Sequence, residues 1–138
     1  MIDLFIAHAW RFHPEWVKLS DAIENNFLES VRNFSLPWHD PAISPNSEYG
    51  KNFLDSQLKS QITPASFVIF IDDLFKVESN LRWLFASMDF ALIQNKNLVF
   101  VNGNTNICRH RPKFNVPGMQ FGIDNFEIWI SDLLQNSL

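Results

Sequence analysis

The chain holds a single cysteine, four glycines and one tyrosine in 138 residues, and each scarcity excludes something. Cys108 alone cannot form an internal disulfide or a cysteine-built zinc site, and nothing points to an oxidising compartment, so the cytoplasm is the expected location. Glycine is missing from the turn after the first apolar segment, Ala7-His8-Ala9-Trp10-Arg11. Both the Rossmann fingerprint and the P-loop need glycines there to bring backbone amides onto phosphate, so neither applies. No stretch approaches the ~18 consecutive apolar residues of a membrane span. Met1 to Trp10 is apolar but carries Asp3 and runs into Arg11 and His13, without a basic leader or cleavage site, and reads as a strand rather than a signal. Neither a membrane nor export is expected. Cations are few as well: 11 Lys and Arg against 15 Asp and Glu give a formal charge of -4. That balance argues against a general nucleic-acid binder, which must release many phosphate counterions, and leaves room only for a small local phosphate site. No His-x-x-x-His or His-Glu-x-x-His spacing occurs, so no metal site is expected.

What is present is apolar bulk. Aromatic and aliphatic side chains make up 46% of the chain, with 14 Phe and 5 Trp, enough to offset chain entropy around one core. The length suits one domain over residues 1–138.

Strand and helix signals alternate along it. Ile2 to Ala7 is a short apolar run that delivers His8-Ala9-Trp10-Arg11-Phe12-His13 to a loop. Pro14 suits a first helical turn, and Trp16, Leu19, Ile23 and Phe27 share one face of a helix closing near Val31. Phe34 to Trp38 reads as an edge strand ending at Pro37, and His39 to Asn46 as a stiff loop. Glu48 to Ile62 is an amphipathic helix stopped by Pro64. Phe67 to Ile71 is almost wholly apolar, the mark of a strand covered on both faces, and ends at Asp72-Asp73. Ser79 can cap a helix to about Gln94 with Leu84, Met88, Ala91 and Leu92 inward. Leu98 to Val101 is another buried strand, Asn102 to Gly118 is loop-rich, and Phe121 to Ile123 precedes a helix from about Asn125 to Leu134. The alternation predicts an α/β domain: a flavodoxin-like three-layer sandwich around a central, mostly parallel five-stranded sheet. Ligands of such sheets bind beyond the carboxyl ends of the strands, which singles out the loops after Ala7, Trp38, Ile71 and Val101.

The acids expected at the first strand's end in a response-regulator receiver are absent. His8 and His39 either meet in space or serve as separate loop residues. The stretch Cys108-Arg109-His110-Arg111-Pro112-Lys113 concentrates charge and reads as a solvated loop, with a phosphate site or an activated thiol as the alternatives.

Two segments carry a more specific signal. Phe5-Ile6-Ala7-His8-Ala9-Trp10 resembles the opening of TIR-like proteins of the bacterial Thoeris anti-phage defence family. Asn33-Phe34-Ser35-Leu36-Pro37-Trp38-His39-Asp40-Pro41 is similar to that family's second-strand segment and following loop. Gln61-Ile62 before an apolar strand, then Ser79 and Trp83, looks like the same pattern, and the likeness covers Asp3 to about Val101. The resemblance implies a TIR fold that binds NAD as substrate or ligand, with no tightly held cofactor. It implies cleavage of the nicotinamide-ribose bond to an ADP-ribose-derived messenger sensed by a partner effector protein, and self-association between TIR domains. In the pocket so implied, His8, Ala9, Trp10 and Arg11 bracket the nucleotide, Trp38, His39 and Asp40 form the opposite wall, and Trp83 opens the catalytic helix.

The family's catalytic Glu follows the Trp by four residues, and here Trp83-Leu84-Phe85-Ala86-Ser87 ends in serine. Cleaving a glycosidic bond develops positive charge on the ribose, which a carboxylate stabilises or attacks and a hydroxyl does not. Loss of one preorganised electrostatic group commonly costs ~3–4 kcal/mol of barrier, a few hundred-fold in rate. Asp89 is roughly 200° around the helix from Ser87, and Asp72 and Asp73 end a strand. Three alternatives stand: a binding domain with little or no turnover, an NAD glycohydrolase using Asp89 or Asp72 instead, and a non-catalytic interaction module.

Overall fold

The computed structural model describes residues 1–8, 14–35, 47–116 and 118–136, with the backbone alone at positions 49, 50, 53 and 54. Strands β1 (Ile2–Ile6), β2 (Val31–Asn33), β3 (Phe67–Ile71), β4 (Asn97–Val101) and β5 (Met119–Phe121) alternate with helices. These are α1 (Pro14–Asn26), α2 (Glu48–Ile62), α3 (Leu81–Ile93), α4 (Thr105–His110) and α5 (Phe126–Asn136). The five strands form one sheet in the order β2-β1-β3-β4-β5, and every neighbouring pair is parallel. This is the flavodoxin-like three-layer sandwich, and its parallel sheet needs helical cover on both faces.

Side-chain contacts identify the layers. Asn26 on α1 donates to Glu127 on α5 at 2.9 Å, so these helices share one face. Arg82 on α3 approaches Asp55 on α2 at 3.8 Å on the other. Side chains alternate along β3 accordingly. Phe67 meets Trp129 of α5 edge-on, whereas Phe70 packs against Phe75 and stacks on Phe100. Val68 to Ile71 and Val99 to Val101 are buried throughout, as their unbroken apolar runs require. At the β2 edge, Asp3 pairs with Arg32 in register, and its carboxylate takes both guanidinium hydrogen bonds, at 2.5 and 2.8 Å.

Several boundaries differ from the expectations. Helix α1 ends at Asn26 and not near Val31, because the chain turns through Phe27 to Ser30, where the amides of Ser30 and Val31 both donate to the Phe27 carbonyl. Val31 lies four residues after Phe27 and so extends the helical spacing, yet it is buried as a strand residue opposite Ile2. The edge strand is therefore Val31–Asn33, and Phe34 and Ser35 follow it outside any strand; the Leu36–Trp38 part of the expected strand lies outside the described residues. Ser79 does not cap α3: it sits in a 3-10 turn, and the helix begins at Leu81. The last strand comes slightly earlier, at Met119–Phe121, and the loop-rich segment contains the six-residue helix α4.

Candidate functional site: the crevice between β1 and β3

The sheet order reverses direction between β1 and β3, so their connections leave to opposite sides and open a crevice beyond their carboxyl ends. The amide of Ala7 donates to the Ile69 carbonyl at 2.8 Å, carrying the β1–β3 ladder one residue past the strand. His8 is thereby delivered to the tip of β1. Its ring packs edge-on to Trp16 at 5.9 Å between centroids, and Trp16 is anchored in turn by its indole N–H on the Ile6 carbonyl at 3.3 Å. On the other side of the crevice, the 3-10 turn Asp72–Lys76 follows β3 directly.

Glu15, in the first turn of α1, has the Asp73 carboxyl as a neighbour. Burial and that neighbour push the Glu15 carboxyl above its usual range, with Lys76 and Lys18 opposing the shift. Asp73 is also held by Lys76 at 3.0 Å. Sequence reading passed over Glu15 because an acid one position after Pro14 is what any helix prefers in its first turn. Only the fold sets it against Asp73, 58 residues away.

The residues singled out from sequence have specific placements. Asp72, at the end of β3, is only 3% exposed. Its carboxylate accepts the backbone amides of Asn106 (3.0 and 3.1 Å) and Ile107 (3.2 Å) and the side-chain amide of Asn106 (2.8 Å). It caps α4 and ties the β4–α4 loop to β3, so its oxygens are committed to the protein. Ser87 is fully buried, on the stripe of α3 that carries Leu84, Met88 and Ala91. Its hydroxyl donates to the Trp83 carbonyl at 2.8 Å, a local helical bond. Asp89 projects outward and holds Arg111 through two bonds of 2.6 and 2.9 Å, while the Arg111 guanidinium lies 4.1 Å over the Phe85 ring. Trp83 is 6% exposed, and Arg82 lies over its ring at 4.9 Å. Ala9, Trp10, Arg11, Trp38, His39 and Asp40 lie outside the described residues. Of the residues named from sequence, the structure thus brings His8 and Asp72 to the tips of adjacent strands, turns Asp89 outward, and packs Ser87 inside.

In the segment from Cys108 to Lys113, His110 bonds the Phe75 carbonyl through its ring and Arg111 is taken by Asp89, so two of its charged or polar groups serve packing. No group of His, Cys, Asp and Glu fit to hold a metal occurs among the described residues. No helix among them is long and apolar enough to cross a membrane. Beside the crevice, α1 and β2 enclose an open groove of about 470 Å³ lined by Trp16, Ser20, Ile23, Leu28, Val31 and Asn33. Trp16 is common to this groove and to the His8 contact. No family model, curated protein or solved structure matches the chain.

Proposed function

We propose that this chain is a TIR-like defence-signalling domain that binds NAD or an ADP-ribose-type nucleotide at the β1–β3 crevice and has little or no capacity to cleave it. The observation that supports the reading best is the placement of His8 at the tip of β1, next to β3, at the reversal point of a parallel 2-1-3-4-5 sheet. The segment resembling the Thoeris TIR-like proteins runs through β1 and delivers His8 to its carboxyl end, where ligands of such sheets bind. Weak turnover is supported by the fate of the candidate acids. Ser87 carries no charge and is enclosed, Asp72 caps a helix, and Asp89 is paired with Arg111 outside the crevice. None of the three offers an anion to a developing oxocarbenium ion. Its signal is then passed on by ligand-dependent contact with another TIR domain or an effector protein.

The test is calorimetry with NAD and with ADP-ribose, together with measurement of nicotinamide release from NAD by the purified protein. Saturable binding with negligible release is expected. Failure to bind either nucleotide removes the pocket, and robust release removes the claim of weak turnover.

A further inference from the structure

The groove of about 470 Å³ beside β2 has a floor and a mouth of different character. Trp16, Ser20 and Ile23, at spacings of four and three along α1, share one side of the helix, and Val31 and Asn33 meet them from one face of β2. Trp16, Ile23 and Val31 are buried, so the floor is apolar. Its polar groups are engaged with one another: the Asn33 side-chain amide donates to the Ser20 hydroxyl at 3.3 Å, and the Asn33 side-chain oxygen accepts the Ser35 backbone amide at 3.0 Å. Little hydrogen-bonding capacity is left there for a sugar or a phosphate.

The mouth is acidic. Asp21 and Glu24, three residues apart on α1, line it together with Leu28 just beyond the helix, and all three are exposed. No cation is among the described lining residues. Lys18 instead reaches Asp124 at 3.4 Å, and Arg32, on the other face of β2 from Val31 and Asn33, is held by Asp3. Among the described residues neither carboxylate of the mouth is paired. We propose that the groove between α1 and β2 binds a small organic cation with an apolar body, an arylalkylamine in chemical class, its ring against Trp16, Ile23 and Val31 and its ammonium at Asp21 and Glu24. The volume is that of a small-molecule site. A second copy of the chain, with its formal charge of -4, is a poorer match for an acidic mouth. The same carboxylates repel an anionic nucleotide, so the site is separate from the β1–β3 crevice and does not depend on it.

The probe is phenethylamine, followed by backbone and indole N–H NMR of the full chain, with phenethyl alcohol as its neutral and phenylpropionate as its anionic counterpart. Saturable shifts of the Trp16 indole N–H and of the Ile23, Leu28 and Val31 amides are expected with the amine at about millimolar concentration, the range so few atoms support. Shifts should be weaker with the alcohol and absent with phenylpropionate. Asp21→Asn combined with Glu24→Gln should weaken the amine about three- to ten-fold and leave the alcohol unchanged. Leu28→Lys, at an exposed position outside any helix or strand, puts a tethered ammonium at the mouth and should weaken the amine at least as far. No saturable shift with the amine, phenylpropionate binding as tightly, or parental affinity in the double variant overturns the proposal. Groove shifts that follow protein concentration alone assign the face to a second copy, and the same shifts with ADP-ribose assign it to the nucleotide; either result overturns the small-cation site.

Discussion

Replacing Asp72 separates a structural carboxylate from a chemical one. Asp72→Ala strands the backbone amides of Asn106 and Ile107 and the side-chain amide of Asn106, both residues being buried. An unsatisfied buried donor costs ~1–3 kcal/mol and a lost helix N-cap ~0.5–2 kcal/mol. Allowing for relaxation of the short helix α4, the sum is ~3–5 kcal/mol, a hundred-fold or more in the folding equilibrium. Against a total of ~5–15 kcal/mol for a domain, that is a large share, and Tm should fall by about 10–20 °C. Asp72→Asn keeps one oxygen for the two backbone amides, and the Asn106 side chain can rotate to present its carbonyl to the new amide. That variant should lose only ~1–2 kcal/mol. Urea unfolding followed by circular dichroism gives both values, with m unchanged if the native and denatured ensembles keep their compactness. A loss under 1 kcal/mol for Asp72→Ala would refute the capping role. NAD turnover that Asp72→Asn abolishes without loss of stability would return Asp72 to chemistry.

Two further substitutions probe the packing around the site. Restoring the resembled family's acid with Ser87→Glu places a charge and three extra heavy atoms in a fully enclosed position; destabilisation above ~3 kcal/mol and no gain in nicotinamide release are expected from thermal melts and a turnover assay. Gly118→Ala brings a methyl to 2.5 Å from the Phe100 ring and 2.9 Å from the Leu98 carbonyl oxygen, and the backbone oxygen cannot swing aside; a loss of ~1–3 kcal/mol in urea unfolding is expected.

The layered α/β architecture was legible because its signals are local. Phe67 to Ile71 and Leu98 to Val101 are uninterrupted apolar runs, and of the stripe Leu84, Met88, Ala91 and Leu92 the first three are buried and Leu92 is partly buried against the core. Helix α1 ran long in the reading because Val31 satisfies both a helical spacing from Phe27 and a strand partnership with Ile2, and only the turn at Phe27–Ser30 decides between them. The placement of Ser79 failed for a related reason: Asn80 donates to the Leu74 carbonyl at 3.2 Å, fastening the preceding turn and postponing the helix to Leu81. The site was harder to read. His8 could be assigned to a strand tip from the run before it. The partners of Asp72 and Glu15 could not be identified, since they lie 34 and 58 residues away and are chosen by sheet order. Ser87 shows the same limit in reverse: the spacing from Trp83 identified the position, while its enclosure depends on how the whole helix is rotated against the sheet.

The central pair of strands is aligned over five residues, whereas β2 at one margin and β5 at the other contain three each. Local opening follows such differences in pairing, so hydrogen exchange should be slowest through β3 and β4 and faster toward both margins. Since β1 alone separates β3 from the thin β2 flank, tightening or loosening on that flank can occur while the middle of the sheet stays shut. A molecule docking there would register first as slowed exchange in β2 and the start of α1.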